Sequence, residues 1–115
     1  MSNALELAKH YFDLSNTSNF IEIEKLFVEN TTFCARSGEY FLGRDDIMVM
    51  QKAHHGCYQQ LKWHVNAVHE LKPGIICFDF SFEGVKQNGE QTNMSGIEYL
   101  IIQNDKIRHI DVLNK

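Results

Sequence analysis

Residues 61–83 read LKWHVNAVHELKPGIICFDFSFE, and their apolar side chains recur at every second position. This spacing predicts two β-strands, because successive side chains of a strand point to opposite faces of a sheet. Pro73-Gly74 predicts the turn between them, and a two-residue loop there would make His69 a core histidine beside Phe78. The predicted cross-strand pairs are Phe78 with His69, Phe80 with Ala67 and Phe82 with Val65, and Trp63 and Ile76 share their apolar face.

Before residue 61 the apolar spacing is helical, and it predicts three helices. Asn3 and Glu6 form a capping pattern for the first, and the polar residues 16–19 end it and cap the second. Gly43 opens the third, and strands over 31–36 and 40–42 precede it. The predicted inward residues are Leu5, Leu7, Ala8, Tyr11, Phe12 and Leu14, then Phe20, Ile23, Leu26 and Phe27, then Ile47, Met50, Ala53, His54 and Cys57.

This order of elements predicts an α+β fold in which a cone-shaped, curved antiparallel sheet wraps around three helices from the N-terminal half. Asn88-Gly89 and Asn104-Asp105 mark the last two hairpins. A chain of 115 residues predicts one domain over 1–115. Any function is expected in an interior pocket between the helices and the sheet.

The bulk composition argues against nucleic-acid and membrane partners. The net charge is −4, and the eleven basic residues are scattered, whereas a nucleic-acid footprint needs a basic face. No apolar run approaches the roughly 20 residues that cross a bilayer, and no signal peptide is recognisable. Three cysteines with no CxxC spacing suit free thiols, so we expect a cytoplasmic protein.

The segment His54-His55-Gly56-Cys57 is the one pattern that suggests a metal. His54 and Cys57 share a predicted helix face, but zinc needs further ligands and no candidate stands at a recognisable spacing. We therefore expect no metal and no cofactor. His54 is better explained as a neutral hydrogen-bonding group on the pocket wall.

Two segments carry a resemblance to a known superfamily: LSNTSNFIEIEKLFVENTTF (14–33) and SGIEYLIIQNDKIRHIDVL (95–113). With them the chain resembles the nuclear-transport-factor-2-like (NTF2-like) superfamily, which includes SnoaL-type cyclases and ketosteroid isomerase. The resemblance implies the cone-shaped fold, a small apolar ligand and a homodimer formed through the sheet. It marks a fold more than an activity, because one fold hosts many functions.

The resemblance to ketosteroid isomerase also implies roles for particular residues. Tyr11 falls at the position of the tyrosine that stabilises an oxyanion, and Glu98 at that of its protonated acid partner. The position of the general base holds Ala35, which cannot accept a proton, so His54 is the base candidate. The histidine that SnoaL-type enzymes place on the fifth strand is absent. We expect an apolar pocket lining of Phe12, Phe33, Met50, Trp63, Phe78, Phe80, Phe82, Ile110 and Val112.

The orientation of Glu98 depends on the hairpin at Asn88-Gly89. A two-residue loop would place Glu98 beside Asp79 on the polar face, in a row with Asp111 that like charges destabilise. A three-residue loop with Gly89 in a left-handed bulge would turn Glu98 toward Phe78, where burial raises the pKa of the carboxyl group. The second alternative is favoured.

Three functional hypotheses follow from these residues. In the first, an isomerase-, cyclase- or dehydratase-type enzyme acts on a small apolar carbonyl or ring compound, with Tyr11 and Glu98 polarising an oxygen. In the second, a non-catalytic module binds a hydrophobic ligand with the same groups, as the alanine at position 35 suggests. In the third, the interior is filled and the domain is structural.

Overall fold

The structure, a computed structural model, describes residues 3–114, which form three helices and a six-stranded sheet. The helices are α1 (Asn3–Asn16), α2 (Phe20–Lys25) and α3 (Arg44–Gly56). The strands are β1 (Phe27–Cys34), β2 (Tyr40–Leu42), β3 (Tyr58–Lys72), β4 (Ile75–Lys86), β5 (Gln91–Gln103) and β6 (Lys106–Asn114). Their order in the curved, unclosed sheet is β2-β1-β6-β5-β4-β3. The predicted α+β class is confirmed, and one strand pair, β1 with β6, is parallel rather than antiparallel.

The core lies between the helices and the inner face of the sheet. Strand β4 supplies alternate buried residues, and its Phe78 ring lies 4.4 Å from the ring of Phe12 on α1, measured between centroids. Fully buried Ile47 of α3 and Leu100 of β5 belong to the same cluster. Because strand side chains alternate between faces, this packing also decides which residues of each strand can reach an interior site.

The predicted pairing of β3 with β4 is wrong, although the two-residue loop at Pro73-Gly74 is present, since Lys72 pairs with Ile75. The ladder shifts between Glu70 and Lys72 and again between Val65 and Ala67. Each shift inserts one residue, which changes the face of every residue beyond it and bends the strand. Phe78 therefore pairs with Val68, Phe80 with Val65 and Phe82 with Trp63. His69 is exposed opposite Cys77 and is not a core residue.

Two predictions on the helices also need correction. Helix α2 ends at Lys25, so Phe27 is the buried first residue of β1 and not a helix residue. On α3 the buried residues are Ile47, Met48 and Gln51, whereas Ala53, His54 and Cys57 are exposed. The buried stripe of α3 includes residues four apart (47 and 51), whereas the prediction used steps of three (47, 50 and 53). Both spacings fit one helix face, so the apolar pattern alone did not fix its rotation.

Candidate functional site

A cavity of about 510 Å³ opens between α1, α3 and the inner face of the sheet. This volume lies within the range of small-molecule sites in proteins. Most of its wall is apolar or aromatic, and the polar groups are few. The lining residues are Tyr11, Phe12, Ser15, Phe33, Ala35, Arg36, Ser37, Met50, Gln51, His54, His55, Trp63, Phe80, Phe82, Met94, Glu98, Val112 and Asn114.

Seven of the nine predicted apolar lining residues are in this wall, namely Phe12, Phe33, Met50, Trp63, Phe80, Phe82 and Val112. The other two, Phe78 and Ile110, are fully buried in the core and do not line the cavity. They point to the same side of the sheet as the lining residues. However, Phe12 packs directly on Phe78 and separates it from the open space. A shared face is therefore not sufficient to place a residue at the cavity.

Glu98 lies on the inner face of β5, where it pairs with Phe78 of β4. The loop that sets this register has three residues between Lys86 and Glu90, whose backbone groups hydrogen-bond at 2.8 Å, and Gly89 has a φ of 90°. The carboxyl group is 7 % exposed, and its Oε2 has no hydrogen-bond partner among the described residues. Burial raises the pKa of Glu98 to about 8. The group is therefore mainly neutral at pH 7 and can donate a hydrogen bond.

Tyr11 is buried beside Glu98 and is held by a glutamine of α3. Gln51 Nε2 donates a hydrogen bond to Tyr11 Oη at 2.9 Å. Burial, and then the nearby carboxyl of Glu98, raise the pKa of Tyr11 above its ordinary value of 10.0. The phenol therefore remains protonated. Because its oxygen already accepts from Gln51, its hydroxyl hydrogen is available to another acceptor.

His54 and His55 also line the cavity, where they belong to an aromatic cluster. The His54 ring centroid is 5.5 Å from that of Tyr58, and the His55 ring centroid is 5.2 Å from that of Trp63. His54 keeps part of its surface exposed, but its partial burial among these rings lowers its pKa below the ordinary 6.5, and burial with the neighbouring His54 lowers the pKa of His55 to about 4. Both imidazoles are therefore neutral at pH 7. A ring nitrogen of His55, Nδ1, is already engaged with Ser18 Oγ at 2.8 Å, so His54 is the freer of the two.

The opening of the cavity carries Ala35 and Arg36, directly after β1. Arg36 is exposed, its Nε donates to Asn114 Oδ1 at 2.7 Å, and its guanidinium also contacts Met94 Sδ. Ala35 contributes only a methyl group to the wall. No carboxylate thus stands where the resemblance to ketosteroid isomerase expects the general base.

Within residues 3–114 there is no group of three or more His, Cys, Asp or Glu side chains arranged to hold a metal ion. None of the helices in that range is long and apolar enough to cross a membrane.

Solved structures of similar shape decide the fold. An NTF2-like protein of unknown function from Exiguobacterium superposes with a TM-score of 0.85, covering 95% of this chain and 98% of that one at 18% identity. The chain has the NTF2-like fold. A protein from Catenulispora acidiphila with a ketosteroid isomerase-like fold, solved with trimethylamine, gives 0.84 at 11% identity over 96% and 85% of the two chains.

An epoxide hydrolase-like enzyme from M. tuberculosis has a TM-score of 0.86 with this chain, at 4% identity over 98% and 83% of the two chains. No protein-family profile and no curated protein sequence matches the chain. Identities this low show the NTF2-like fold and leave the activity to be argued from the cavity itself.

Within this NTF2-like fold the three predicted polar residues Tyr11, Glu98 and His54 all line one cavity. Gln51 was not predicted, because the expected inward face of α3 passed through Met50 and His54 instead. The available signal was the four-residue spacing of Ile47 and Gln51, which places the glutamine on the same helix face as a buried apolar residue. Ser15 and Asn114 also line the cavity and carried no recognisable pattern in the sequence.

Proposed function

We propose that the chain binds a small apolar molecule bearing a carbonyl, enol or phenol oxygen, and that it catalyses an isomerase-, cyclase- or dehydratase-type reaction by stabilising an oxyanion. Glu98 carries this proposal, because it is a carboxyl group buried in an aromatic cavity wall with a pKa raised to about 8. A buried acid whose Oε2 has no hydrogen-bond partner among residues 3–114 is costly to retain for stability alone.

Two donors would act on the ligand oxygen. The neutral Glu98 carboxyl and the Tyr11 hydroxyl each have a hydrogen to donate, and charge that develops on the oxygen strengthens both hydrogen bonds. An apolar ligand that fills the cavity would displace water from the site, which makes these hydrogen bonds stronger than they would be in solution. The pair therefore favours a state with negative charge on oxygen over a neutral ground state.

His54 would move the proton. A neutral imidazole can accept a proton from the carbon next to a ligand carbonyl, which leaves an enolate whose oxygen is held by Tyr11 and Glu98. If the ligand has a carbon–carbon double bond next to that carbon, the charge reaches the far end of the double bond, and return of the same proton there shifts the double bond and completes an isomerisation with no change in atoms or charge. The lowered pKa of His54 keeps the imidazole in its accepting form at pH 7.

A binding module without catalysis is the second candidate, and Ala35 favours it. A methyl group occupies the wall where the resemblance to ketosteroid isomerase expects a base, and the two oxygen-binding donors remain. In this alternative Tyr11 and Glu98 orient a ligand, and His54 is part of the aromatic rim.

Titration with planar phenols tests the oxygen-binding site. The measured quantity is the affinity of wild type and of the Tyr11→Phe and Glu98→Gln variants for 2-naphthol and for naphthalene. We expect 2-naphthol to bind more tightly than naphthalene, and each variant to weaken 2-naphthol binding by about 1–3 kcal/mol because one hydrogen bond is lost. Phe12→Leu, a change in the apolar wall, should weaken both ligands alike. Equal 2-naphthol affinities in wild type and both variants would refute an oxyanion site.

Exchange of carbon-bound protons for deuterium separates catalysis from binding. An enzyme of this kind should accelerate exchange at the acidic carbon of 2-tetralone in D₂O, followed by NMR. We expect His54→Gln to lower the protein-dependent rate by about a hundredfold, since a base is lost. The rate should also fall above pH about 8, where Glu98 ionises. Tight binding of 2-naphthol with exchange no faster than in buffer would establish the binding module instead.

A further inference from the structure

The side-chain amide of Gln51 uses its nitrogen in a hydrogen bond and leaves its oxygen without a partner among residues 3–114. Its Nε2 donates to Tyr11 Oη, whereas its Oε1 is buried and has no hydrogen-bond partner among residues 3–114. The side chain is 6 % exposed and lies in the cavity wall together with Tyr11 and Glu98. The site thus contains a buried acceptor as well as its two donors.

An unpaired carbonyl oxygen in such a place is unfavourable. Burying an amide oxygen without a hydrogen bond costs about 1–3 kcal/mol, and most buried polar atoms in proteins have a partner. No side chain of residues 3–114 is hydrogen-bonded to it, and Tyr11 uses its oxygen to accept the Gln51 amide hydrogen. A donor from a molecule in the cavity would recover this cost.

In the structure the amide of Gln51 has a defined orientation. Its Nε2 faces Tyr11 Oη at 2.9 Å, and its Oε1 is the end of the amide that is left without a partner among residues 3–114. Tyr11 and Glu98 then offer hydrogens and Gln51 offers an oxygen, all from the wall of one cavity. A ligand matches all three when it carries an acceptor and a donor side by side.

We propose that Gln51 determines specificity, and that the cavity selects planar ligands in which an N–H donor lies next to a carbonyl oxygen, as in cyclic amides. This inference rests on the proposed oxyanion-type site, since Tyr11 and Glu98 receive the carbonyl oxygen. Gln51 receives the N–H and rejects isosteric molecules with an oxygen at that position, because two acceptors then face each other.

Two bicyclic molecules of equal shape test the proposal. 2-Quinolone has an N–H beside its carbonyl, and coumarin has a ring oxygen in place of the N–H. We expect wild type to bind 2-quinolone about tenfold or more tightly than coumarin. Gln51→Met, which keeps an unbranched side chain of similar length, should reduce this ratio to about threefold or less. Val49→Ala, at an exposed position of α3 outside the cavity wall, is the control that should leave the ratio unchanged.

The carbonyl oxygens of 2-quinolone and coumarin differ in strength as hydrogen-bond acceptors. This difference affects wild type and Gln51→Met alike, so it cancels when the affinity ratios of the two proteins are compared. If Gln51→Met does not fold, N-methyl-2-quinolone with wild type serves instead, since it keeps the amide carbonyl and lacks the N–H. It should bind as weakly as coumarin.

Four outcomes would overturn the inference. A ratio near one in wild type, or the same ratio in Gln51→Met, contradicts the role of Gln51 while 2-naphthol binding through Tyr11 and Glu98 still stands. N-methyl-2-quinolone binding as tightly as 2-quinolone does the same. Absence of binding by 2-quinolone, coumarin and 2-naphthol would remove the proposed function, and the inference with it.

Discussion

Replacement of Glu98 by glutamine should make the protein more stable at high pH, by as much as about 5 kcal/mol in the free energy of unfolding. The unfolded chain loses the Glu98 proton near an ordinary pKa of 4.5, whereas the folded protein keeps it to about 8. Between these values the unfolded state binds fewer protons, so wild-type stability falls as pH rises and then levels off. A neutral glutamine does not ionise, so this loss is absent in Glu98→Gln.

Urea denaturation at intervals from pH 4 to pH 9 measures the difference. The two proteins should have similar stability at pH 4, where a neutral carboxyl and a carboxamide are alike, and diverge up to pH about 8. His54 and His55 contribute their own pH dependence, which is common to both proteins and cancels in the difference. Glu90→Gln, in the exposed hairpin loop, is the matched control. Parallel curves for wild type and Glu98→Gln would mean that Glu98 is ionised in the folded protein.

The sequence predicted most elements because their signals are local. Alternation along β4 and the turns at Pro73-Gly74 and Asn104-Asp105 depend on a few neighbouring residues, and the structure has all three. The register of β3 depends on bulges near Asn66 and Leu71, which bend the strand around the helices. Nothing in the local composition marks these two positions, since the curvature they serve is a property of the whole sheet.

The same reasoning explains what could be predicted of the cavity. The three-residue loop at Gly89 was favoured by the resemblance and by the avoidance of a row of carboxylates, and it gives the observed inward position of Glu98. The position of Gln51 in the cavity wall was not predicted, because glutamine on a helix is ordinarily a surface residue and only the packing of α3 buries it. His69 was misplaced for the opposite reason, since a bulge in β3 moved it to the outer face.

Phe78→Ala should cost about 3–5 kcal/mol of stability and leave ligand affinity nearly unchanged. The Phe78 side chain is fully buried, packs on Phe12 and does not line the cavity. Its loss leaves a void that the surrounding sheet and α1 cannot fill, so the burial and packing energy of the ring is lost. Urea denaturation measures the stability. Titration of the folded protein with 2-naphthol in the absence of urea measures the affinity.

Phe82→Ala provides the contrast, because Phe82 is an equally large residue of β4 that lines the cavity and contacts Trp63 with centroids 4.9 Å apart. Its truncation enlarges a space that is already open to solvent, so water can occupy the gap and the loss of stability should be smaller than for Phe78→Ala. The affinity for 2-naphthol should fall, since apolar contact with the ligand is lost. If Phe78→Ala weakens 2-naphthol as much as Phe82→Ala does, the cavity extends beneath α1, and Phe78 belongs to its wall after all.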